Sequence, residues 1–163
     1  MIDILVFAKI ALENGRGGEI FNIELANGLS KSYRVELLET NILLNESLLP
    51  KKEINRRLDS SIKRQLPLKF AQFRTLNKNF TFPYPGSILR LLKAIKKNNI
   101  VYAGIGNFKV DFMLMIFSLL APQNKFLIGY HKPIHSEKRF SLYNFKYRAS
   151  ILFYSLFKKN IYN

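Results

Sequence analysis

The sequence predicts an α/β fold in which a parallel β-sheet carries helices on both faces. Two observations predict it. Short apolar runs alternate along the chain with segments whose apolar residues recur at helical spacing, and glycines or prolines separate many of these segments. Such alternation is typical of βαβ units, whose strands lie parallel and whose helices cover the sheet. The length of 163 residues predicts a single domain over residues 1–163.

The first three elements form a strand, helix and strand. Residues 2–10 are almost continuously apolar, as in a strand that is covered on both faces. Residues 19–30 repeat apolar side chains such as Ile23 and Ala26 at helical spacing, which predicts an amphipathic helix. Residues 33–40 are apolar and β-branched enough for a second strand.

The middle of the chain predicts two basic helices joined by a loop. Residues 50–66 would form a helix that opens with Pro50 at its first position. Residues 67–84 show mixed periodicity and predict a loop with at most one short strand. A second helix is expected to begin near Ser87 and to end in lysines, whose charge suits a helix C-terminus.

The rest of the chain continues the alternation. "NIVYAGIGN" (99–107) predicts a short buried strand, and residues 112–121 predict a core helix capped by Asp111. That apolar stretch has about half of the ~20 residues that a membrane-spanning helix needs. Residues 125–131 predict another strand, and residues 140–159 predict a last, aromatic-rich amphipathic helix.

The charge balance predicts anionic partners. The chain has 26 Lys and Arg against 11 Asp and Glu, a formal net charge of +15, and much of the excess lies in residues 51–100. Such a field suits nucleic acid, an anionic lipid surface or a phosphorylated substrate, and a plain solvated surface is an equally simple explanation. No helix-turn-helix, zinc-ligand or RNA-recognition signature is visible, so nucleic acid is the weaker option. The absence of cysteine excludes disulfides and thiolate metal sites.

A glycine-rich turn follows the first strand, in "NGRGGEI". In parallel sheets the ligand lies beyond the C-terminal ends of the strands, where a glycine turn lets backbone approach a phosphate at a helix N-terminus. Gly17 and Gly18 are the candidates, and Lys9 and Arg16 flank the same edge. The spacing matches neither the G-x-G-x-x-G fingerprint nor the phosphate loop of nucleotide hydrolases. A plain turn with a helix-entry glycine is the alternative.

These residues carry a resemblance to a known family. "GRGGEIFNIELANGLSKSYRVELLET" resembles the N-terminal signature of family-4-type glycosyltransferases, and "NNIVYAGIGN" and "FLIGYHKPIH" resemble two later strands of that family. The resemblance covers most of the chain outside residues 41–83. It implies a Rossmann-like domain that forms one half of a GT-B architecture. The donor-binding C-terminal half, with its E-x7-E motif, is not in this sequence.

The resemblance also implies roles for individual residues. Gly17, Gly18 and Arg16 would bind the donor phosphates, and Glu19, Asn107 and His131 would lie on the acceptor side. His131 would handle the proton of the acceptor as the catalytic residue, unless it is an ordinary loop histidine. Asn107 stands where the family often has a histidine, and an amide supplies no proton chemistry at neutral pH. Glu19 is otherwise a favourable first-turn acid.

The function expected from the resemblance is transfer of a sugar from a nucleotide-sugar to a glycan or lipid-linked acceptor. No metal or resident cofactor is implied, and the missing half would come from further chain or from a partner subunit. No export signal is visible, so a cytoplasmic protein is expected, with peripheral contact to an anionic membrane through residues 50–97. A non-catalytic binding or scaffold domain is the main alternative, and a basic nucleic-acid-binding module is the weaker one.

Overall fold

A computed structural model describes residues 2–43, 48–75, 78–104, 108–129 and 161–162 of the chain. Four helices lie in these residues: α1 (Gly17–Ser30), α2 (Lys51–Arg57), α3 (Pro85–Lys97) and α4 (Phe108–Leu120). The strands in the same residues are β1 (Asp3–Ala8), β2 (Arg34–Glu39), β3 (Lys63–Arg64), β4 (Phe70–Thr75), β5 (Lys78–Pro83), β6 (Ile100–Gly104), β7 (Lys125–Gly129) and β8 (Ile161–Tyr162).

The central sheet has the strand order β3-β2-β1-β6-β7, with β8 paired to the outer side of β7. Each neighbouring pair is parallel. The chain winds outward from β1 through β2 to β3, returns to β6 and then winds outward in the opposite direction. The point where the winding reverses therefore lies between β1 and β6, which is where open α/β sheets form their ligand crevice. The predicted α/β fold with a parallel sheet is confirmed.

Two apolar cores cover the two faces of this sheet. Leu5 and Phe7 of β1 point into a core shared with α3 and α4, whereas Ile4 and Val6 point into a core shared with α1 and α2. The alternation follows from the period of two in a strand. It explains why β1 is almost continuously apolar, since both of its faces are buried.

The predicted helix over residues 50–66 is wrong beyond its first two turns. Helix α2 ends at Arg57, and Leu58 already has an extended backbone, with ψ of 135°. The Asp59 carboxylate then accepts hydrogen bonds from the backbone N–H and the hydroxyl of Ser61, at 2.8 and 2.6 Å. Such local bonds offer the backbone an alternative to helix. The following residues form the edge strand β3 instead of another helical turn.

The expected loop over residues 67–84 is an antiparallel hairpin, β4 and β5, which forms its own two-stranded sheet. Its base is tied to the domain because Phe70 is buried in the α3/α4 core. The hairpin closes where the Tyr84 N–H donates to the Lys69 carbonyl at 3.2 Å. Helix α3 begins immediately afterwards at Pro85, slightly before the predicted start, because a proline suits the first helical turn.

Most of the other predicted helices and strands that fall within the described residues are present in the structure. Helix α1 begins two residues before its predicted start, and β1, β2 and β6 lie where the sequence predicts them. Helix α4 begins at Phe108, four residues before its predicted start at Phe112, so Asp111 lies inside the helix and not at its cap. The predicted strand over residues 125–131 is present as β7 up to Gly129. Asn107, His131 and the predicted helix over residues 140–159 lie outside the described residues.

Candidate functional site

The C-terminal edge of the sheet brings two helix N-termini to either side of the winding reversal. Helix α1 follows β1 on one face, and α4 follows β6 on the other. Each N-terminus leaves backbone N–H groups without an intrahelical acceptor. This edge is the one that the sequence predicts as functional. It is built from the loop between Ala8 and Gly17 and from the start of α4.

Gly15 is the glycine that the fold itself requires. Its φ of 61° lies in the left-handed region, and an added Cβ would come within 2.9 Å of the Leu49 Cβ. Its N–H donates to the Leu12 carbonyl at 3.0 Å and closes a short 3-10 turn. The first glycine of "GRGG" therefore shapes the loop and allows residues 48–49 to pack against it.

Gly17 and Gly18 differ from Gly15. Neither has a positive φ, and a Cβ added to either would meet no atom of the described residues within 4 Å. They occupy the first two positions of α1, ahead of the first intrahelical bond, which the Ile20 N–H donates to the Arg16 carbonyl at 3.0 Å. No contact in the described part of the chain requires glycine at either of these two positions.

Glu19 holds the start of α1 in place. Its buried carboxylate accepts a hydrogen bond from the backbone N–H of Arg16 at 3.0 Å. Burial raises the pKa of Glu19, and the bonds from backbone N–H groups oppose part of that rise. The structure thus gives this side chain the capping role of a first-turn acid. The bond occupies the Arg16 N–H, whereas the N–H groups of Gly17 and Gly18 precede the first intrahelical hydrogen bond.

A buried ion pair lies at the winding reversal. The Lys9 ammonium, just past the end of β1, pairs with the Asp111 carboxylate in the first turn of α4. Both residues are at least 95% buried, with exposed fractions of 5% and 3%. Burial lowers the pKa of Lys9, although the adjacent Asp111 acts in the opposite direction. Lys9 is therefore held beneath the edge, and Asp111 acts as its counter-ion instead of as the predicted helix cap.

A second buried carboxylate fixes the loop after β1. One oxygen of Glu39 accepts the Leu12 N–H at 2.8 Å, and the other accepts two guanidinium N–H groups of Arg64, the closer at 2.5 Å. Glu39 is only 2% exposed. The ends of β2 and β3 are thereby joined to the loop that leads into the glycine turn. Neither this link nor the Lys9–Asp111 pair can be predicted from the sequence pattern, since their partners are far apart in the chain.

A groove of about 290 Å³ lies at the opposite edge of the sheet. Its charged lining consists of Asp3, Arg34, Glu36, Lys63 and Lys97. Arg34 binds Asp3 through two guanidinium nitrogens, at 2.5 and 2.8 Å. Lys97 and Lys63 both contact the Glu36 carboxylate. The cations of the groove thus pair with its own carboxylates, and the groove lies at the N-terminal ends of the strands, away from the predicted edge.

Burial raises the pKa of Glu36, but hydrogen bonds from Lys97, Asn98 and Gln65 outweigh it and hold the pKa below its usual value.

Within the described ranges no group of three or more His, Asp or Glu could hold a metal ion. In the same ranges, no helix combines the length and apolar character needed to cross a bilayer.

Comparisons with protein-family models and with curated proteins give no match for this chain.

Proposed function

We propose that this chain is the N-terminal domain of a GT-B glycosyltransferase, in which the turn at Gly17 and Gly18 binds the diphosphate of a nucleotide-sugar. The observation that carries the proposal is the pair of glycines at the start of α1. They lie at the edge where α/β folds bind ligands, and no contact among the described residues requires a missing side chain at either position.

The chemistry of the turn suits a diphosphate. Backbone N–H groups at a helix N-terminus and the helix dipole favour negative charge. In sugar transfer the donor's leaving group gains charge as the glycosidic bond breaks, so fixed donors at this position stabilise the transition state. Arg16, next to the glycines, would add a positive charge. Lys9 is excluded from a direct role because it is buried against Asp111.

The proposal assigns the rest of the reaction to residues outside the described part of the chain. Asn107 and His131 follow β6 and β7 in the sequence, and the resemblance implies acceptor-side roles for both. A donor-binding half would complete the cleft from further chain or from a partner subunit. With it, the assembly would pass the sugar to a glycan or lipid-linked acceptor.

Selective labelling tests the phosphate-binding turn directly. The chain has 8 glycines, so glycine labelled with ¹⁵N gives a sparse amide spectrum, which we would titrate with UDP and with uridine. We expect Gly17 and Gly18 to shift saturably with UDP and not with uridine. Gly28 and Gly86 serve as internal controls, because both also lie in open surroundings but outside the turn. Titration with GDP would show whether the base matters.

The variant Gly18→Val completes the test. An added side chain there meets no described atom within 4 Å, so the fold should be retained, while the branched side chain would keep a phosphate from the backbone. We expect the UDP shifts to disappear and the circular dichroism spectrum to stay unchanged. Shifts of equal size in Gly18→Val and in the parent chain would contradict the phosphate role. Absence of any diphosphate-dependent shift at the turn would favour the non-catalytic binding domain.

A further inference from the structure

Large apolar side chains are exposed together beside the start of α3. The set, which we name the α3 patch, consists of Leu66, Phe82, Tyr84 and Leu89, with exposed fractions of 77%, 53%, 52% and 60%. Two hydrogen bonds bring their segments together: the Arg90 guanidinium donates to the Leu66 carbonyl at 2.7 Å, and the Tyr84 N–H donates to the Lys69 carbonyl.

Positive charge surrounds the α3 patch. Arg90, Lys93 and Lys96 lie with Leu89 on the exposed face of α3, and Lys69 lies at the base of the hairpin. None of these four cations has an ion-pair partner among the described residues. No Asp or Glu occurs in the sequence between Asp59 and Asp111. The patch therefore combines exposed apolar side chains with four cations that have no ion-pair partner among the described residues.

The other basic helix is different. Helix α2 packs on the opposite face of the sheet from α3, so the two do not form one surface. Its Arg56 and Arg57 both contact the Glu53 carboxylate at 3.0 Å. The basic surface expected over residues 50–97 is thus divided between two faces, and its α3 part combines exposed apolar groups with cations that lack carboxylate partners in the described chain.

We infer that the α3 patch binds the surface of an anionic lipid membrane. Leucines and aromatic rings would enter the boundary between headgroups and acyl chains, while the lysines contact acidic headgroups. Leucine side chains favour lipid over nucleic acid, because single strands are held by aromatic stacking and duplexes through their phosphates. This inference does not depend on the proposed function. It would, however, place the glycine-turn edge near a membrane, since Leu66 and Tyr84 lie toward the C-terminal ends of the strands.

Vesicle co-sedimentation tests the inference with two designed variants and a matched control. Lys93→Glu/Lys96→Glu reverses the charge of the patch, and Leu66→Ser/Leu89→Ser removes its aliphatic groups. The control, Lys31→Glu/Lys52→Glu, makes the same change in net charge at two exposed lysines on the α1/α2 side. Each would be mixed with vesicles of phosphatidylcholine, alone or with phosphatidylglycerol, after circular dichroism confirms folding.

We expect the parent chain to sediment with the anionic vesicles and not with the neutral ones. Each lysine near an anionic surface contributes about 1 kcal/mol, so the charge-reversed patch should bind at least about 30-fold more weakly. Loss of two leucines from the lipid boundary should weaken binding by about 10-fold or more. The control should lose several-fold less than the charge-reversed patch, because its lysines lie on the other side of the molecule.

Two results would overturn the inference. One is equal loss in the patch variant and the control, which would mean that net charge alone determines binding. The other is unchanged vesicle binding by Leu66→Ser/Leu89→Ser. If that variant also binds a single-stranded oligonucleotide as tightly as the parent chain does, the partner of the patch is nucleic acid and not lipid. Gly18→Val should bind vesicles like the parent chain, so failure of the membrane inference and failure of the phosphate-binding turn are separately visible.

Discussion

Asp111→Asn tests the buried ion pair at the winding reversal. The substitution preserves the size of the side chain and leaves the Lys9 ammonium, which is 95% buried, without its carboxylate partner. Breaking a buried pair from one side costs about 3–5 kcal/mol, because an uncompensated charge remains in the interior. For a chain of this length that corresponds to a fall in Tm of very roughly 6–20 °C. Urea denaturation followed by circular dichroism measures the loss.

The double variant Lys9→Met/Asp111→Leu tests whether the loss of stability in Asp111→Asn comes from the unpaired charge. Replacing both partners of a buried pair by apolar groups is often neutral or stabilising, so this variant should be more stable than Asp111→Asn. A single variant within about 0.5 kcal/mol of the parent chain would refute the reasoning, since that is the range of surface substitutions. A loss of stability in the double variant equal to the sum of the losses in Lys9→Met and in Asp111→Leu would also refute it, because the residues would then act independently.

The same variant should show a distinctive pH dependence. Burial lowers the pKa of Lys9 below 10.5, and Asp111 opposes that fall. Without the carboxylate the pKa of Lys9 in the folded chain falls further below 10.5. The pH range in which the unfolded chain binds more protons than the folded chain therefore becomes wider. The free energy of unfolding of Asp111→Asn then rises with pH. Its deficit relative to the parent chain should narrow from neutral pH toward pH 10, and a constant deficit would contradict the explanation.

The glycine turn, the Arg64–Glu39 pair and Glu36 each allow a direct test of the contacts described above. Gly18→Ala should stabilise the chain by about 0.5–1 kcal/mol, whereas Gly15→Ala should destabilise it by more than about 1 kcal/mol, because only Gly15 has a positive φ and lacks room; equal effects in thermal melts would count against this distinction. Arg64→Met should cost roughly 3 kcal/mol, since it leaves the buried Glu39 carboxylate without its cation, and recovery in Arg64→Met/Glu39→Gln would show that the charge is responsible. The pKa of Glu36 is lowered in the folded chain, so its contribution to the free energy of unfolding is present above pH 4.5 and is lost as the pH falls through the folded-state pKa. In acid titration Glu36→Gln should therefore lose less of its free energy of unfolding than the parent chain does. Equal losses in the two chains would argue against that role.

The candidate site was only partly accessible to sequence analysis. The alternation of strands and helices identifies the C-terminal edge, and "NGRGGEI" identifies a glycine turn there. The pattern does not distinguish the glycines from one another. Only the packed loop shows that Gly15 is required by its backbone angle and by Leu49, while Gly17 and Gly18 have open surroundings. Backbone conformation and neighbouring atoms decide that difference, and neither is encoded in glycine spacing.

By itself, the sequence determined the α/β class and the position of most helices and strands, because the periods of buried side chains differ between the two and the apolar runs are long enough to read. It did not determine the hairpin, the short α2 or the division of the basic surface between two faces. Those depend on contacts across the fold, such as Phe70 in the α3/α4 core. Tertiary structure alone paired Lys9 with Asp111, 102 residues away, because a charge is tolerated in the interior only where the fold places an opposite charge beside it.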